Sequence, residues 1–323
     1  MREESGDKSP HSKFTDHIME VPMLLAGKIA FAAAALFLVG LVLRGPRLRA
    51  YPHYGYLGLT VIALAHWLAL QGQQPVSTFF TAIVWTGYIA AADAAVYSLQ
   101  GYSLIVNQPQ QFIACTLLSI PLWLVFEAYN LRLRNWIYVG LPVHWLPRYF
   151  GYAWAFATIW PGMLETSQLL RAAGFWREKQ RPIKFSDRTH NIWIALGALM
   201  LILPLALPQR IGAYTFGLVW LGFIFLLEPL SLRRAAASIL DDLEIGRRDR
   251  LWSLLAAGGI CGILWEFWNF QATAKWVYVF PILQNMKVFE MPLPGFLGFP
   301  PFALETFTMY CFTVRFLDYV PDI

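Results

Sequence analysis

The 323 residues are 57% hydrophobic and 16% aromatic, with a mean hydropathy of +0.48. Soluble domains carry about 45–50% apolar residues, so this composition excludes one and points to a membrane protein. The net charge of +5 implies no nucleic acid, because cytoplasmic loops of membrane proteins carry such an excess.

In chain order, a polar, acidic-leaning segment 1–21 comes first. It has no basic region leading into a short apolar core, so it does not read as a cleavable signal. Apolar runs follow at 22–43, 53–71, 78–99, 110–131, 148–171, 191–208, 211–230, 250–270 and 295–317. Each is long enough to cross a hydrocarbon core of about 30 Å and is read as helix, because lipid offers the backbone no other partner. The expected fold is an all-α polytopic membrane protein of about nine transmembrane helices. Cys115, Cys261 and Cys311 fall inside these runs and suggest neither disulfides nor zinc.

Lysine and arginine gather after span one (Arg44, Arg47, Arg49), between spans five and six (Arg171 to Arg188) and between seven and eight (Arg233 to Arg250). A nine-span topology puts all three loops on one side, which predicts an inner cell membrane protein with its N-terminus outside and its C-terminus cytoplasmic. Arg132, Arg134 and Arg148 oppose this orientation.

The chain repeats itself. "EAYN" at 127–130 matches "EFWN" at 266–269, "WIYV" at 136–139 matches "WVYV" at 276–279, and Phe156, Pro161, Leu164, Glu165 and Thr166 match Phe296, Pro301, Leu304, Glu305 and Thr306, all about 140 residues apart. Upstream, "WTGYIAAAD" at 85–93 matches "WLGFIFLLE" at 220–228. The expected organisation is an extra helix 22–43, a four-helix repeat 53–171, a basic cytoplasmic linker 172–190 and a second four-helix repeat 191–317. An even number of spans per repeat makes the two parallel, and cavities in such folds form where the halves meet.

Each repeat places three acids in its spans: Asp93, Glu127 and Glu165 in the first, Glu228, Glu266 and Glu305 in the second. An ionisable group costs about 2.5–3.5 kcal/mol at the centre of an inserting helix, so these face the protein interior. Asp93 and Glu228 lie nearer span ends, where they can meet basic loops. Glu127 with Asn130, and Glu266 with Asn269, share a helix face at i,i+3 spacing, suited to holding a polar group or a protonated acid. Glu165 and Glu305 follow proline-containing helix starts, and irregular backbone at membrane depth implies a covered or cavity-lining position. The same acids could equally be structural. Trp136, Tyr138, Trp276 and Tyr278, with Trp265 and Trp268, suit a membrane interface or an apolar pocket whose rings stabilise a cation.

"ILDDLEIGRRDR" at 239–250 has the carboxylates of a magnesium–diphosphate site, but the first repeat has no acidic counterpart, so a charge-balanced cytoplasmic helix is expected. His66 and His144 have no partner at ligand spacing, and no metal or other cofactor is expected. "GFWREKQRPIKF" should lie on the cytoplasmic membrane surface against anionic lipid.

A helix ending in an acid, a Trp-x-Tyr, a proline and a helix with an early glutamate, all in tandem over about 120–166 and 260–306, resembles the integral-membrane lycopene beta-cyclases of the heterodimeric or fused type. The resemblance implies a cofactor-free, proton-initiated cyclisation of an isoprenoid. Glu305 or Glu266 would be the general acid, and Trp265, Trp268, Trp276 and Tyr278 would line a dry pocket. The family's adjacent glutamate pair is here Glu165-Thr166 and Glu305-Thr306. The alternative functions are a proton-coupled transporter or binding protein for a lipid or small amphiphile, and a structural membrane subunit. The expected partners are membrane lipid and an apolar small molecule.

Overall fold

The structure, a computed structural model, describes residues 10–45 and 47–317, so residues 1–9 of the polar N-terminal segment lie outside the described residues. Helix α1 (Pro10–Arg44) is followed by α2 (His53–Leu70), α3 (Phe80–Gln100), the short α4 (Leu104–Asn107), α5 (Pro109–Leu133), strand β1 (Trp136–Val139), α6 (Trp145–Ala157) and α7 (Ile159–Ala172). The chain continues with α8 (Asp187–Ala206), the short α9 (Gln209–Gly212), α10 (Phe216–Arg233), the short α11 (Ile239–Glu244), α12 (Asp249–Gln271) and β2 (Lys275–Tyr278). Strands β3 (Lys287–Val288) and β4 (Met291–Pro292), a 3-10 turn (Leu293–Gly298) and α13 (Phe299–Phe316) complete it.

Among the described residues, seven helices are long and apolar enough to cross a membrane: Val21–Leu43 of α1, then α2, α3, α5, α8, α10 and α12. The expected spans 148–171 and 295–317 are not single apolar helices. The first is broken at Thr158 between α6 and α7, and the second begins as the 3-10 turn. Their proline and glycine content, Pro161 and Gly162 in one and Pro294, Gly295 and Gly298 in the other, accounts for the irregular starts.

Burial separates an inner from an outer set. The most apolar windows of α3 and α12 are 78% and 56% buried, whereas those of α1, α2 and α5 are each 17% buried. Helices α7 and α13 are buried along most of their length. The core is therefore α3, α7, α12 and α13, with the more exposed helices around it. Gly258 and Gly262 let α12 approach α13: a Cβ at Gly258 would stand 2.2 Å from the Phe299 carbonyl oxygen, and one at Gly262 2.3 Å from the Phe299 ring. Small residues four apart admit such close helix contact in membrane proteins.

The described residues are mostly helical, as expected, with two short strand pairs besides. β1 and β2 pair antiparallel, with Trp136 opposite Tyr278 and Tyr138 opposite Trp276, and β3 pairs with β4. The alternating β-branched and aromatic residues of both Trp-x-Tyr segments suit such a pair.

At the opposite end, the loop after α1 binds the end of α3 through Leu48 N–H to Ser98 O at 2.8 Å. The 173–186 connection runs beside the α11–α12 turn, with Gln180 N–H to Gly246 O and Ile183 N–H to Leu243 O, each 2.9 Å. This connection is shorter than the expected linker because α8 starts at Asp187, capped by Ser186. The 239–250 segment is not one helix but α11, a turn and the start of α12. Its acids meet arginines: Asp249 pairs with Arg171 at 3.0 Å and Arg247 at 3.3 Å, and Asp242 with Arg250 at 3.3 Å. Burial pushes the Asp242 carboxyl upward, and Arg250 and Arg247 oppose that shift.

Gly262→Leu is expected to lower the stability of the purified protein by about 1–3 kcal/mol through overpacking. Thermal unfolding in detergent measures it, and an unchanged transition would mean that α12 and α13 are not in contact there.

Candidate functional site

Helices α5 and α12 end in the same way. Asn130 Oδ1 accepts the Trp136 N–H at 3.1 Å and its Nδ2 donates to Trp136 O at 2.9 Å. Asn269 does the same for Trp276, at 3.0 and 2.8 Å. In an antiparallel pair alternate peptides point away from the partner strand, and the two asparagines take up those outward groups at Trp136 and Trp276. Their amides are occupied by backbone, which gives them a positioning role.

The glutamates one turn earlier hold the side chains of the same strands. Glu127 Oε1 accepts from the Tyr138 hydroxyl at 2.5 Å, Trp123 Nε1 at 2.9 Å and Trp136 Nε1 at 3.2 Å. Glu266 Oε1 accepts from the Tyr278 hydroxyl at 3.1 Å and Trp276 Nε1 at 3.4 Å. Glu266 lacks a third indole because Gly262 stands where the first half has Trp123, and Phe299 fills that space. Its Oε2 is buried without a hydrogen-bond partner. Burial, reinforced by the adjacent carboxylate, holds the Tyr138 and Tyr278 hydroxyls well above the ordinary tyrosine range, so both remain donors.

Beside the strand pair lies a cleft of about 130 Å³. Trp123, Trp136, Tyr138, Tyr152 and Phe156 line it from the first half of the chain, and Trp220, Trp265, Trp276, Tyr278, Phe299 and Phe302 from the second. Arg148 and Lys275 also reach it. Arg148 donates to Pro142 O at 2.9 Å, and Lys275 pairs with Glu290 at 2.5 Å.

Of the residues singled out in the sequence, Trp136, Tyr138, Trp265, Trp276 and Tyr278 come together here. Trp268 instead packs in the core, 5.0 Å from the Trp85 ring and 6.2 Å from Phe31 of α1. Glu127 and Glu266 sit behind the tyrosines and do not line the cleft. Glu165 and Glu305 are fully buried, with none of their carboxylate oxygens hydrogen-bonded, and they are also away from it.

Asp93 and Glu228 are capping residues. Asp93 accepts the Ile105 N–H at 2.9 Å, and Glu228 accepts those of Ile239 and Leu240 at 2.7 and 3.2 Å, so each holds the first turn of the short helix that follows. Sequence reasoning missed Trp123, Tyr152, Phe156, Trp220, Phe299 and Phe302. Trp123 was findable, since i,i+4 spacing puts it on the face of Glu127.

No family model, curated protein or solved structure matches this chain.

Asn269→Ala strands two peptide groups of Trp276 and is expected to cost about 1–3 kcal/mol for each group left unpaired. Unfolding measured beside Asn269→Asp, which keeps the acceptor, checks this: the aspartate should recover part of the loss, and equal stability of Asn269→Ala and wild type would contradict the clamp.

Proposed function

We propose that the protein is a multipass membrane protein of two parallel four-span repeats that binds an apolar, lipid- or isoprenoid-like molecule in the aromatic cleft at their junction. One observation carries this reading: the rings lining the cleft come from both halves and include the matched pairs Trp136/Trp276 and Tyr138/Tyr278. The element order supports the repeat, since α2, α3, α4, α5, β1, α6 and α7 run parallel to α8, α10, α11, α12, β2, the 3-10 turn and α13. A cavity of about 150 Å³ accepts a benzene-sized group, so a cleft of about 130 Å³ suits one end group of a long apolar ligand. The basic loops collect at the end away from the strand pair, and the positive-inside rule then turns the cleft outward.

Proton-initiated cyclisation, which the resemblance to lycopene beta-cyclases implies, gains support from the Tyr–Glu pairs. The hydroxyls of Tyr138 and Tyr278 line the cleft and donate to Glu127 and Glu266. In this reading the carboxyl starts protonated: the tyrosine hydroxyl turns to the ligand and gives up its proton as the carboxyl O–H supplies one to the tyrosine oxygen. The proton lost on ring closure returns to the carboxylate by the same route, and Glu305 takes no direct part.

Photolabelling in lipid nanodiscs with a diazirine-bearing isoprenoid tests the binding site. Labels should fall on 145–159 and 265–278 and be competed by unlabelled isoprenoid, and Phe302→Trp, which fills the cleft, should cut specific labelling about tenfold, equivalent to about 1.4 kcal/mol. Label confined to the outer faces of α2 and α8 would overturn it. For the chemistry, expression in carotenoid-producing cells should alter the pigment profile, and Tyr278→Phe should slow that conversion about 10²-fold or more. Retained labelling with an unchanged profile would favour binding or transport.

A further inference from the structure

Glu165 and Asp93 set the two halves apart. Asp93 on α3 is fully buried and accepts three donors: the Tyr54 hydroxyl at 2.5 Å, the Ser103 hydroxyl at 2.8 Å and the Ile105 N–H at 2.9 Å. Three donors suit a carboxylate. Glu165 on α7 is equally buried, lies beside Asp93, and has no hydrogen-bond donor on either oxygen. The groups around it are Tyr54 from α2, Asp93 and Tyr88 from α3, and Cys115 from α5. The neighbouring Thr166 hydroxyl contacts Tyr88 at 2.7 Å and Cys261 of α12 at 3.2 Å. Asp93 is the acid in this set.

The second half closes the equivalent position. Glu228, the counterpart of Asp93, accepts the Thr308 hydroxyl of α13 at 2.6 Å. The residue in register with Thr308 on α7 is Gln168, which does not bond to Asp93. Among the described residues, no acid acts on Glu305, the counterpart of Glu165. Two carboxyls side by side in an apolar interior do not both ionise in the ordinary carboxylate range: they share one proton, which leaves only at higher pH.

We propose that Asp93 and Glu165 form a proton-binding site, present in the first half only and loaded through Tyr54. In the loaded state the Glu165 O–H donates to Asp93, whose other acceptor positions are filled. Unloading moves one proton through the Asp93 and Tyr54 oxygens to water, leaves one further negative charge on the pair, and changes no bond other than O–H. Tyr54 is half-buried and forms the link from this interior pair toward the surface of α2. The site stands apart from the aromatic cleft, and α7, whose first residue Ile159 lines that cleft, connects the two.

Infrared difference spectroscopy of the full chain in nanodiscs, scanned across pH, tests this through the carbonyl stretch of neutral carboxyl groups. The wild type should show a neutral-carboxyl band that titrates, moves on deuteration and disappears in Glu165→Gln. Asp93→Asn should move its midpoint by about one pH unit or more, and Tyr54→Phe should slow its deuterium exchange at least tenfold. Glu305→Gln should remove a different band and leave the titrating one in place. The wild-type titration stands whether or not each variant folds: absence of any titrating neutral-carboxyl band between about pH 5 and pH 10 overturns the site. So does a titrating band that survives Glu165→Gln or keeps its midpoint in Asp93→Asn.

Discussion

Satisfaction of backbone polar groups where a membrane helix stops is the constraint on which this molecule depends. Each N–H and C=O in an apolar setting needs a partner, and α5 and α12 both end by turning into an extended segment. Neither segment alone has partners for both edges. The solution pairs the two segments with each other and gives the outward peptides of Trp136 and Trp276 to Asn130 and Asn269. The strand pair thereby ties residues about 140 positions apart in sequence, and the rings it carries become one wall of the cleft.

Glu127 and Glu266 follow from the same arrangement. A tyrosine hydroxyl and an indole N–H come off each strand toward the helix that precedes it, and a carboxylate one turn before the asparagine receives both. Asp93 and Glu228 solve the matching problem at the other end, where a short helix needs its first N–H groups paired. Four of the six helical acids singled out in the sequence are thus bound to groups that the fold leaves in need of an acceptor. Glu165 and Glu305 are not, and on energetic grounds these two require an explanation beyond packing.

Much of this was legible in the sequence. The pairing of Glu127–Asn130 with Glu266–Asn269, and of Asp93 with Glu228, comes from self-similarity, and those residues occupy matching places in the structure. Helix bounds were readable where a single apolar run is long enough to span a bilayer, as in α2 and α12. They were not where proline and glycine break the run, as at Thr158 and before Phe299. The strands escaped because four residues of Trp-Ile-Tyr-Val read equally well as an interfacial loop, and only a partner far along the chain makes them a pair. The cleft escaped for a related reason: Tyr152, Trp220 and Phe302 come from three separate helices, and no local pattern brings them together. The swap of Trp123 for Gly262, which makes room for Phe299, breaks the repeat and so left no trace in self-similarity.

The antiparallel register of β1 and β2 is the most direct place to challenge this view of the molecule. Oxidative cross-linking in nanodiscs of Ile137→Cys with Val277→Cys, residues opposite each other in the pair, measures it. The clamp requires an intramolecular disulfide for this combination in preference to Val139→Cys with Val277→Cys, and less of it when Asn130 and Asn269 are both replaced by alanine. Free, reactive thiols at 137 and 277 with no cross-link, or preferred linkage of the offset pair, would contradict it.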